Sequence, residues 1–360
     1  MWMLIFLLLP LLAVGYIGWH VWCLLPLAWC WRAVIVLLIV GAFMLMFASI
    51  FRITDRLPMP FARAVYEVGT SSLIVLLYLF MTFFVFDILR LVRLLPAAWM
   101  HDCWQTLGAI VLLLSCLLVY GNRHYRHKYR QVMSVRSEKV TKPVKLVLMS
   151  DLHIGYHNRR KELARWVDLI NAEHPDAVLI AGDIIDGSIR PLLAEQMHEE
   201  FRRLKAPAFA CLGNHEYYSS EPLARQFYSD AGIRLLQDSL TTLGELCIIG
   251  RDDRTNRRRH PLSDLVASAD KGKYLILLDH QPHHLEQAEE LHIDFQFSGH
   301  THHGQVWPIS LLTDRMYECA FGRYQRGATN YYVSSGLGIW GGKFRIGTRS
   351  EYLVLTVEPL

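Results

Sequence analysis

Residues 144–153 read Val-Lys-Leu-Val-Leu-Met-Ser-Asp-Leu-His and decide how this chain is organised. The apolar, β-branched part predicts a buried strand, and Asp151 falls at its carboxyl end. Residues two apart in an extended chain share a face, so the side chains of Asp151 and His153 would point to the same side. The stretch therefore predicts a strand that ends in a carboxylate and an imidazole able to bind one metal ion together.

Further blocks downstream extend this arrangement, and nearly every one follows an apolar run: Gly182-Asp183, Gly213-Asn214-His215, His280 and Gly299-His300-Thr301-His302. Open α/β sheets place their binding sites at the carboxyl ends of strands. A single Asp-x-His or Gly-Asp is usually a turn at the end of a strand, but the ordered set is not expected by chance. We therefore expect the blocks to form one metal centre, in which Asp183 bridges two ions.

The ligand types restrict both the metals and the reaction. The blocks supply carboxylate, amide and imidazole groups without a thiolate, which favours Mn, Fe or Zn over Mg or Ca. Two such ions would share a water, lower its pKa and activate it against a phosphate ester. The seven cysteines form no CxxC pair, which excludes zinc-knuckle and thioredoxin-like sites, and unpaired thiols fit a reducing compartment.

The pattern of residues 144–360 predicts a layered α/β domain, because strands alternate with helices and then dominate. The predicted strands are 144–150, 176–181, 208–212, 247–250, 274–278, 294–298, 331–334 and 351–357. The predicted helices are 161–173, 191–205 and 221–231. Residues 122–143 read as a basic, polar connector that precedes this domain.

Residues 1–121 predict a transmembrane region, because their apolar stretches approach the roughly 20 residues that cross a bilayer. The stretches are 1–19, 33–50, 68–86 and 103–120. The first also resembles a cleaved signal peptide, but it lacks a basic start and a convincing cleavage site. We therefore expect four helices in the membrane.

Basic residues predict the orientation in the membrane. Residues 123–145 hold eight lysines and arginines against the single Glu138. Positive charge beside a span marks the cytoplasmic side, and it could also hold the following domain against anionic lipid headgroups. We expect a multi-pass protein of the inner membrane, with the N-terminus and the α/β domain in the cytoplasm.

The blocks resemble the calcineurin-like metallophosphoesterase superfamily. Other stretches are similar to its membrane-associated bacterial subgroup: Ile249-Gly250-Arg251-Asp252-Asp253, Asp279-His280-Gln281-Pro282, Gly304-Gln305 and Ser335-Gly336-Leu337-Gly338. The resemblance covers about residues 144–358 and implies a four-layer sandwich of two packed mixed sheets flanked by helices.

The resemblance also implies the roles of individual residues. One ion would be held by Asp151, His153, Asp183 and His302, and the second by Asp183, Asn214, His280 and His300. His215 would be a histidine near the leaving group that binds no metal. The chain departs from the family at His303, where glycine is usual, and at Ser350, where proline is common before Glu351. Neither departure is a ligand, so both bear on substrate shape rather than on catalysis.

Together these features predict a membrane-bound di-metal phosphoesterase that hydrolyses a phosphodiester or pyrophosphate bond with a hydroxide bridging the ions. His215 and Asp183 are the predicted catalytic residues. The membrane region favours a lipid-linked or membrane-associated substrate, and Arg257, Arg258 and Arg345 are candidates to bind its phosphates.

Two other functions remain open at this point. The enzyme could cleave soluble nucleotides or small phosphate esters and use the membrane only as an anchor. The chain could also be a non-enzymatic membrane scaffold, which the intact ligand blocks disfavour. We expect membrane lipids as partners and no nucleic acid, and the sequence leaves the oligomeric state open.

Overall fold

The computed structural model describes residues 2–360, with side chains from residue 9 onward. The chain divides into two compact units. The helical unit comprises Met1–Arg123 and Gly341–Phe344, and the α/β unit comprises His124–Trp340 and Arg345–Leu360.

Long apolar helices make up the helical unit: α1 (Trp2–Leu24), α2 (Trp29–Ile50), α3 (Met59–Leu91) and α4 (Trp104–Arg126). Among the described residues, α2, α3 and α4 are long and apolar enough to cross a membrane, and α1 contributes the shorter apolar helix Leu9–Leu24. Each helix overlaps its predicted span and is longer than that span, and Met1 of the first span lies outside the described residues. The last helix continues beyond its predicted end at residue 120, so the first basic residues after the span are helical.

Within the described part of the α/β unit, the strands form two sheets of six strands each. The first sheet contains β1 (Lys128–Ser137), β2 (Val144–Met149), β3 (Ala177–Ala181), β4 (Ala208–Cys211), β5 (Ile233–Leu235) and β12 (Ser350–Pro359). Their order across the sheet is β1-β12-β2-β3-β4-β5. Strands β2 to β5 run parallel, whereas β12 is antiparallel to β2 and parallel to β1. The carboxyl ends of β2, β3 and β4 therefore lie side by side.

The second sheet contains β6 (Ser239–Leu243), β7 (Leu246–Gly250), β8 (Tyr274–Leu278), β9 (Phe295–Ser298), β10 (Gly322–Arg326) and β11 (Thr329–Val333). Their order is β10-β11-β9-β8-β7-β6. The four inner strands run parallel, and β6 and β10 close the two edges in antiparallel pairs. The carboxyl ends of β8 and β9 are neighbours.

Shorter helices connect the strands: α5 (Arg160–Ala172), α6 (Arg190–Ala194), α7 (His198–Phe201), α8 (Asn214–Ser219), α9 (Glu221–Asp230), α10 (Leu262–Ala267), α11 (Glu286–Glu290) and α12 (Ile309–Met316).

The alternation of side chains along β2 shows how the layers pack. Leu146 and Leu148 belong to the core between the two sheets. Val147 and Met149 face the other way and pack in the core that includes Trp166 of α5. A further core lies between the second sheet and the helices α10 and α11. The predicted four-layer sandwich is confirmed, and strands buried on both faces explain the continuous apolar runs of the sequence.

The sequence did not predict β5, β6 and β10 or the short helices α8, α10, α11 and α12. In addition, two predicted regions differ from the structure. Residues 122–143 are not simply a connector, because β1 forms the edge of the first sheet. Only Met133 and Val135 of β1 are buried, and polar or basic side chains alternate with them, so the strand has no long apolar run to reveal it. The helix predicted at 191–205 is instead the short pair α6 and α7, interrupted at Gln196, whose φ is +51°.

Candidate metal centre

The five blocks that begin at Asp151 and end at His302 converge in the structure. Asp151, Asp183 and Asn214 follow β2, β3 and β4, while His280 and His300 follow β8 and β9. Because these strands are neighbours in their sheets, their loops meet at one edge of the sandwich.

A first cluster contains Asp151, His153 and His302. The Nε2 atoms of His153 and His302 lie 3.0 Å apart. The Oδ1 atom of Asp151 lies 3.9 Å from His153 Nε2 and 3.5 Å from His302 Nε2. Two imidazole nitrogens and a carboxylate oxygen therefore converge on one point.

A second cluster contains Asp183, His280 and His300. His280 Nε2 lies 3.1 Å from Asp183 Oδ2. The side-chain oxygen of Asn214 lies 3.2 Å from His280 Nε2 and 2.9 Å from His300 Nδ1. Together with Asn214, this cluster supplies the carboxylate, amide and imidazole ligands that were predicted for the second ion.

Asp183 links the clusters. Its Oδ2 atom also lies 3.7 Å from His153 Nε2, so the same carboxylate oxygen faces imidazoles of both clusters. Its Oδ1 atom accepts a hydrogen bond of 2.9 Å from the backbone N–H of His215. The structure thus brings together all seven predicted ligands and gives Asp183 the central place.

The chemistry of these donors fits divalent cations. His280 Nδ1 lies 2.7 Å from the carbonyl oxygen of Ala181, which can only accept, so Nδ1 carries the proton and Nε2 is left for a metal. Burial lowers the pKa of His300 to about 4 and holds that of His302 well below its ordinary value. Both imidazoles are therefore neutral near pH 7 and offer a lone pair.

Charge in the second cluster is arranged to receive a cation. Burial raises the pKa of Asp183, but the imidazoles of His280 and His215 hold it well below its ordinary range. Burial lowers the pKa of His280, but Asp183 raises it well above its ordinary value. A metal ion bound here would replace the proton of His280, since ligand imidazoles must be neutral.

The backbone of the ligand loops is strained. Positive φ angles occur at most of the ligands: Asp151 (+53°), His153 (+44°), Asp183 (+52°), His300 (+70°) and His302 (+49°). Such left-handed angles cost of order 1 kcal/mol or more per non-glycine residue and persist where the surroundings impose them. The surrounding fold therefore holds these residues in a backbone conformation that an unconstrained chain would rarely adopt.

Two glycines permit the close approach of the loops. A Cβ atom at Gly213 would overlap Asp183 Oδ1, and one at Gly299 would overlap the carboxylate of Asp151. The glycines that precede Asn214 and His300 in the sequence thus make room for the carboxylates of other blocks.

Asp186 is a functional residue that the sequence analysis missed. It is buried, and its Oδ1 lies 3.4 Å from His215 Nδ1 and 3.5 Å from His153 Nδ1. Burial lowers the pKa of His215, but Asp183 and Asp186 raise it to about 9. His215 thus carries a proton beside the clusters, as expected for a donor to a leaving group. The only sequence signal was a second carboxylate three positions after Asp183.

Glu216 follows His215 in the third block, but the sequence alone indicated no role for it. Its buried carboxylate accepts hydrogen bonds from the backbone N–H groups of Gly213 (2.7 Å), Asp183 (3.0 Å) and Ile185 (3.0 Å). It therefore fixes the loop after β3 against the start of α8, which carries Asn214 and His215.

The predicted substrate-binding role does not fit Arg345. Its side chain is 0% exposed. The guanidinium donates to the carbonyl oxygens of His302 (2.6 Å), Gly338 (3.3 Å) and Ser335, and Nε lies 3.3 Å from Ser350 Oγ. Arg345 therefore fixes the backbone of the loop that carries His302, and Ser350 contacts the same guanidinium. Burial lowers the pKa of the guanidinium to about 10, which leaves it charged.

His303, Arg257 and Arg258 are less buried than Arg345. His303 stacks on Phe321 with ring centroids 4.6 Å apart, and its Nε2 lies 3.3 Å from Asp314 Oδ1, so its ring is tied to these neighbours. Arg257 and Arg258 are exposed in the loop between β7 and α10. Their binding of substrate stays a prediction.

Comparison with known proteins identifies relatives of the α/β unit. Residues 144–304 match the family described as calcineurin-like phosphoesterase. An uncharacterised metallophosphoesterase of Helicobacter pylori is 32% identical over 228 residues, which cover 62% of this chain and 62% of the relative. A transmembrane protein with metallophosphoesterase domain of Danio rerio is 32% identical over 270 residues, which cover 69% of this chain and 61% of the relative.

The match to a further relative extends over most of that relative's length. An uncharacterised metallophosphoesterase of Aquifex aeolicus is 29% identical over 245 residues, which cover 62% of this chain and 90% of the relative. The chain spans about three fifths of the length of the first two relatives.

Proposed function

Because the chain belongs to the calcineurin-like phosphoesterase family through residues 144–304, we propose that it is a membrane-bound, metal-dependent phosphoesterase. It hydrolyses a phosphodiester or pyrophosphate bond, with two divalent ions drawn from Mn, Fe and Zn. The observation that carries the proposal is the central carboxylate of Asp183, which lies 3.7 Å from His153 and 3.1 Å from His280.

Different residues have different roles in the proposed reaction. When bound, divalent ions supply the Lewis acidity that activates water and neutralises phosphoryl oxygens. The first cluster would hold one ion, the second cluster with Asn214 would hold the other, and the carboxylate of Asp183 lies between the two groups of ligands. His215 donates a proton to the leaving oxygen, and the carboxylate of Asp186 holds its ring in place.

The substrate is a phosphate ester or anhydride linked to a lipid or kept at the membrane. Support comes from the apolar helices α2, α3 and α4, which are long enough to cross a bilayer. The Danio rerio relative is likewise described as a transmembrane protein. The α/β unit faces the cytoplasm from the inner membrane, membrane lipids are its neighbours, and nucleic acid is not a partner.

Replacing the shared carboxylate tests the reaction. The full-length chain in detergent is stripped of metal and reloaded with Mn, Fe or Zn. Hydrolysis of bis-p-nitrophenyl phosphate is then compared with Asp183→Asn, which keeps the shape but removes the charge. We expect turnover to fall by about 10³-fold or more, because both ions lose a ligand. Elemental analysis should show less bound metal.

The control is Asp264→Asn, an exposed aspartate on α10. It should match the unmodified chain in turnover and metal content. Metal-independent turnover, or an active Asp183→Asn variant, would contradict the proposal. Lipid phosphates in mixed micelles and free nucleotides then decide the substrate class. Cleavage of nucleotides alone, without any effect of lipid, would leave the membrane as an anchor only.

A further inference from the structure

Helix α12 (Ile309–Met316) presents an apolar stripe on its exposed side. Leu312 and Met316 are 56% and 63% exposed, and Ile309 is exposed as well. Residues three and four apart lie on one side of a helix, so these three side chains form a continuous stripe. We propose that the stripe docks on the surface of a lipid bilayer and holds the metal centre beside it. The inference deepens the proposed function and rests on it for the membrane location of the α/β unit.

The stripe belongs to a larger apolar surface. Residues 307–316 hold five exposed large apolar side chains: Trp307, Ile309, Leu311, Leu312 and Met316. Single exposed apolar residues are normal on a soluble protein, but a contiguous set marks a surface for a partner or a membrane. Helices that lie in a bilayer interface combine Trp and Leu on one side with basic residues beside them. The composition of this segment therefore fits an interface with lipid.

The charged groups of α12 and its end leave one arginine for anionic lipid. Asp314 Oδ1 lies 3.3 Å from His303 Nε2, and Glu318 accepts a hydrogen bond of 2.8 Å from Arg326 Nη1. Both carboxylates thus have partners in the α/β unit. Arg315 is exposed, and the described residues provide it with neither an ion pair nor a side-chain hydrogen bond. Its positive charge beside the stripe is complementary to anionic headgroups.

The backbone fixes the start of α12 against the loop of the predicted metal ligands. Gly304 lies two residues after His302, and its φ is +67°. A Cβ atom at Gly304 would overlap the backbone of Ile309 and Ser310. The glycine therefore permits direct contact between the ligand loop and the first turn of the helix, where the stripe begins.

Side chains fix the rest of the helix to the same loop. His303 directly follows the predicted ligand His302, and its Nε2 lies 3.3 Å from Asp314 Oδ1. Tyr317 directly follows the helix, and its ring centroid lies 6.4 Å from that of His300. Contacts at the start, within and at the end of the helix therefore place the stripe beside the metal centre.

The covalent chain makes a bilayer the partner that the stripe meets most often. Helix α4 (Trp104–Arg126) is long and apolar enough to cross a membrane, and the α/β unit begins at His124. A tethered surface meets its target at a high effective concentration. A second copy of the chain or a soluble protein has no such local excess, so we assign the stripe to lipid.

Docking would bring the metal centre to a lipid substrate. An interfacial helix lies at the boundary between headgroups and acyl chains. His300 of the second cluster is one ring away from Tyr317 at the end of α12. The second cluster would therefore lie near the level of the headgroup phosphates, and a lipid-linked phosphate ester would reach it without leaving the bilayer.

Photo-crosslinking tests the contact without relying on turnover. Leu312 is replaced by p-benzoylphenylalanine in the full-length chain, which is placed in nanodiscs of phosphatidylcholine and phosphatidylglycerol and irradiated. We expect lipid adducts in the mass spectrum. The matched control carries the same probe at Leu223, an exposed leucine of α9, and should give at least about fivefold fewer adducts. Equal lipid adducts at the two positions would overturn the inference, as would crosslinks from position 312 mainly to a second copy of the chain.

The charge beside the stripe is tested in the same nanodiscs. Arg315→Gln should reduce the lipid adducts at position 312 about twofold or more when phosphatidylglycerol is present, because one basic residue near an anionic surface is lost. In phosphatidylcholine alone it should have no effect. Arg234→Gln, which removes one exposed arginine from β5, is the control and should change neither yield. Adducts in anionic lipid that are unaffected by Arg315→Gln would contradict the electrostatic part of the inference.

Kinetics separate docking from the reaction. Leu312→Glu should raise the KM for a lipid phosphate in nanodiscs about fivefold or more, because a charge opposes insertion. Turnover of bis-p-nitrophenyl phosphate, which needs no docking, should stay within about twofold, and Leu223→Glu should alter neither substrate. A parallel loss on both substrates in Leu312→Glu would overturn the inference. Lipid adducts at position 312 in a protein that hydrolyses no phosphate ester would instead refute the proposed function and leave the docking surface standing.

Discussion

Gly213 determines how closely two ligand loops can approach. A side chain there would overlap the Oδ1 atom of Asp183. We predict that Gly213→Ala displaces this carboxylate, lowers the bound metal measured by elemental analysis, and reduces turnover by about 10²-fold, since small displacements of catalytic groups have effects of this size. The control is Gly187→Ala, because a Cβ atom at Gly187 meets nothing within 4 Å. Normal metal content in Gly213→Ala would show that the loop can move aside.

Arg345 acts on the metal centre through the backbone rather than through substrate. Arg345→Met would leave the carbonyl oxygens of His302, Ser335 and Gly338 without this donor. Unpaired buried carbonyls cost about 1–3 kcal/mol each. We predict a loss of about 3 kcal/mol or more, seen as a drop of roughly 6–12 °C in Tm.

The control for Arg345→Met is Arg234→Met, at an exposed position of β5. Its Tm should change by no more than about 1 °C, because exposed substitutions away from such contacts have small effects. An unaltered Tm in Arg345→Met would show that the three carbonyl oxygens find other partners.

At the scale of elements, Glu173 joins the end of α5 to the first sheet. Its side chain is 11% exposed and accepts hydrogen bonds from Arg130 of β1 (2.7 Å) and Tyr352 of β12 (2.9 Å). Arg130 holds the pKa of this carboxyl at about 2, against the effect of burial. The stability that this charge contributes is therefore present above about pH 4.5 and lost as pH falls from there to about 2.

We predict that Glu173→Gln lowers stability by about 1 kcal/mol at pH 7, because one partner of a partly exposed ion pair is lost. The difference in Tm between Glu173→Gln and the unmodified chain should shrink as pH falls toward 2, where the native glutamate also becomes neutral. A difference that stays constant from pH 7 to pH 3 would mean that packing, rather than charge, accounts for the effect.

The strands that the sequence predicted are those with a continuous apolar run. β2, β3 and β8 are buried on both faces, so nearly every residue is apolar and the boundaries agree within a residue or so. β1 was missed because its alternating pattern carries basic residues on the open side. The same logic explains the site: ligands that directly follow buried strands were found, whereas Asp186 lies further along a loop and needed the fold to bring it to His215.

At the scale of the whole molecule, the charge of residues 123–145 predicts the orientation in the membrane. We expect green fluorescent protein fused to the C-terminus to fluoresce, because the C-terminus would lie in the cytoplasm. Alkaline phosphatase fused after Leu94, between α3 and α4, should be active, because that loop would lie outside. Fusion after Leu57, between α2 and α3, serves as the inactive counterpart. Activity at Leu57 together with inactivity at Leu94 would reverse the orientation.

The left-handed backbone of the predicted ligands has a consequence for anyone who engineers this protein. Glycine adopts that conformation at less cost than aspartate or histidine. A screen for thermal resilience in the presence of a chelator would therefore reward glycine at positions 151, 183 and 302, and the most heat-resistant variants recovered would have lost metal ligands and, with them, activity.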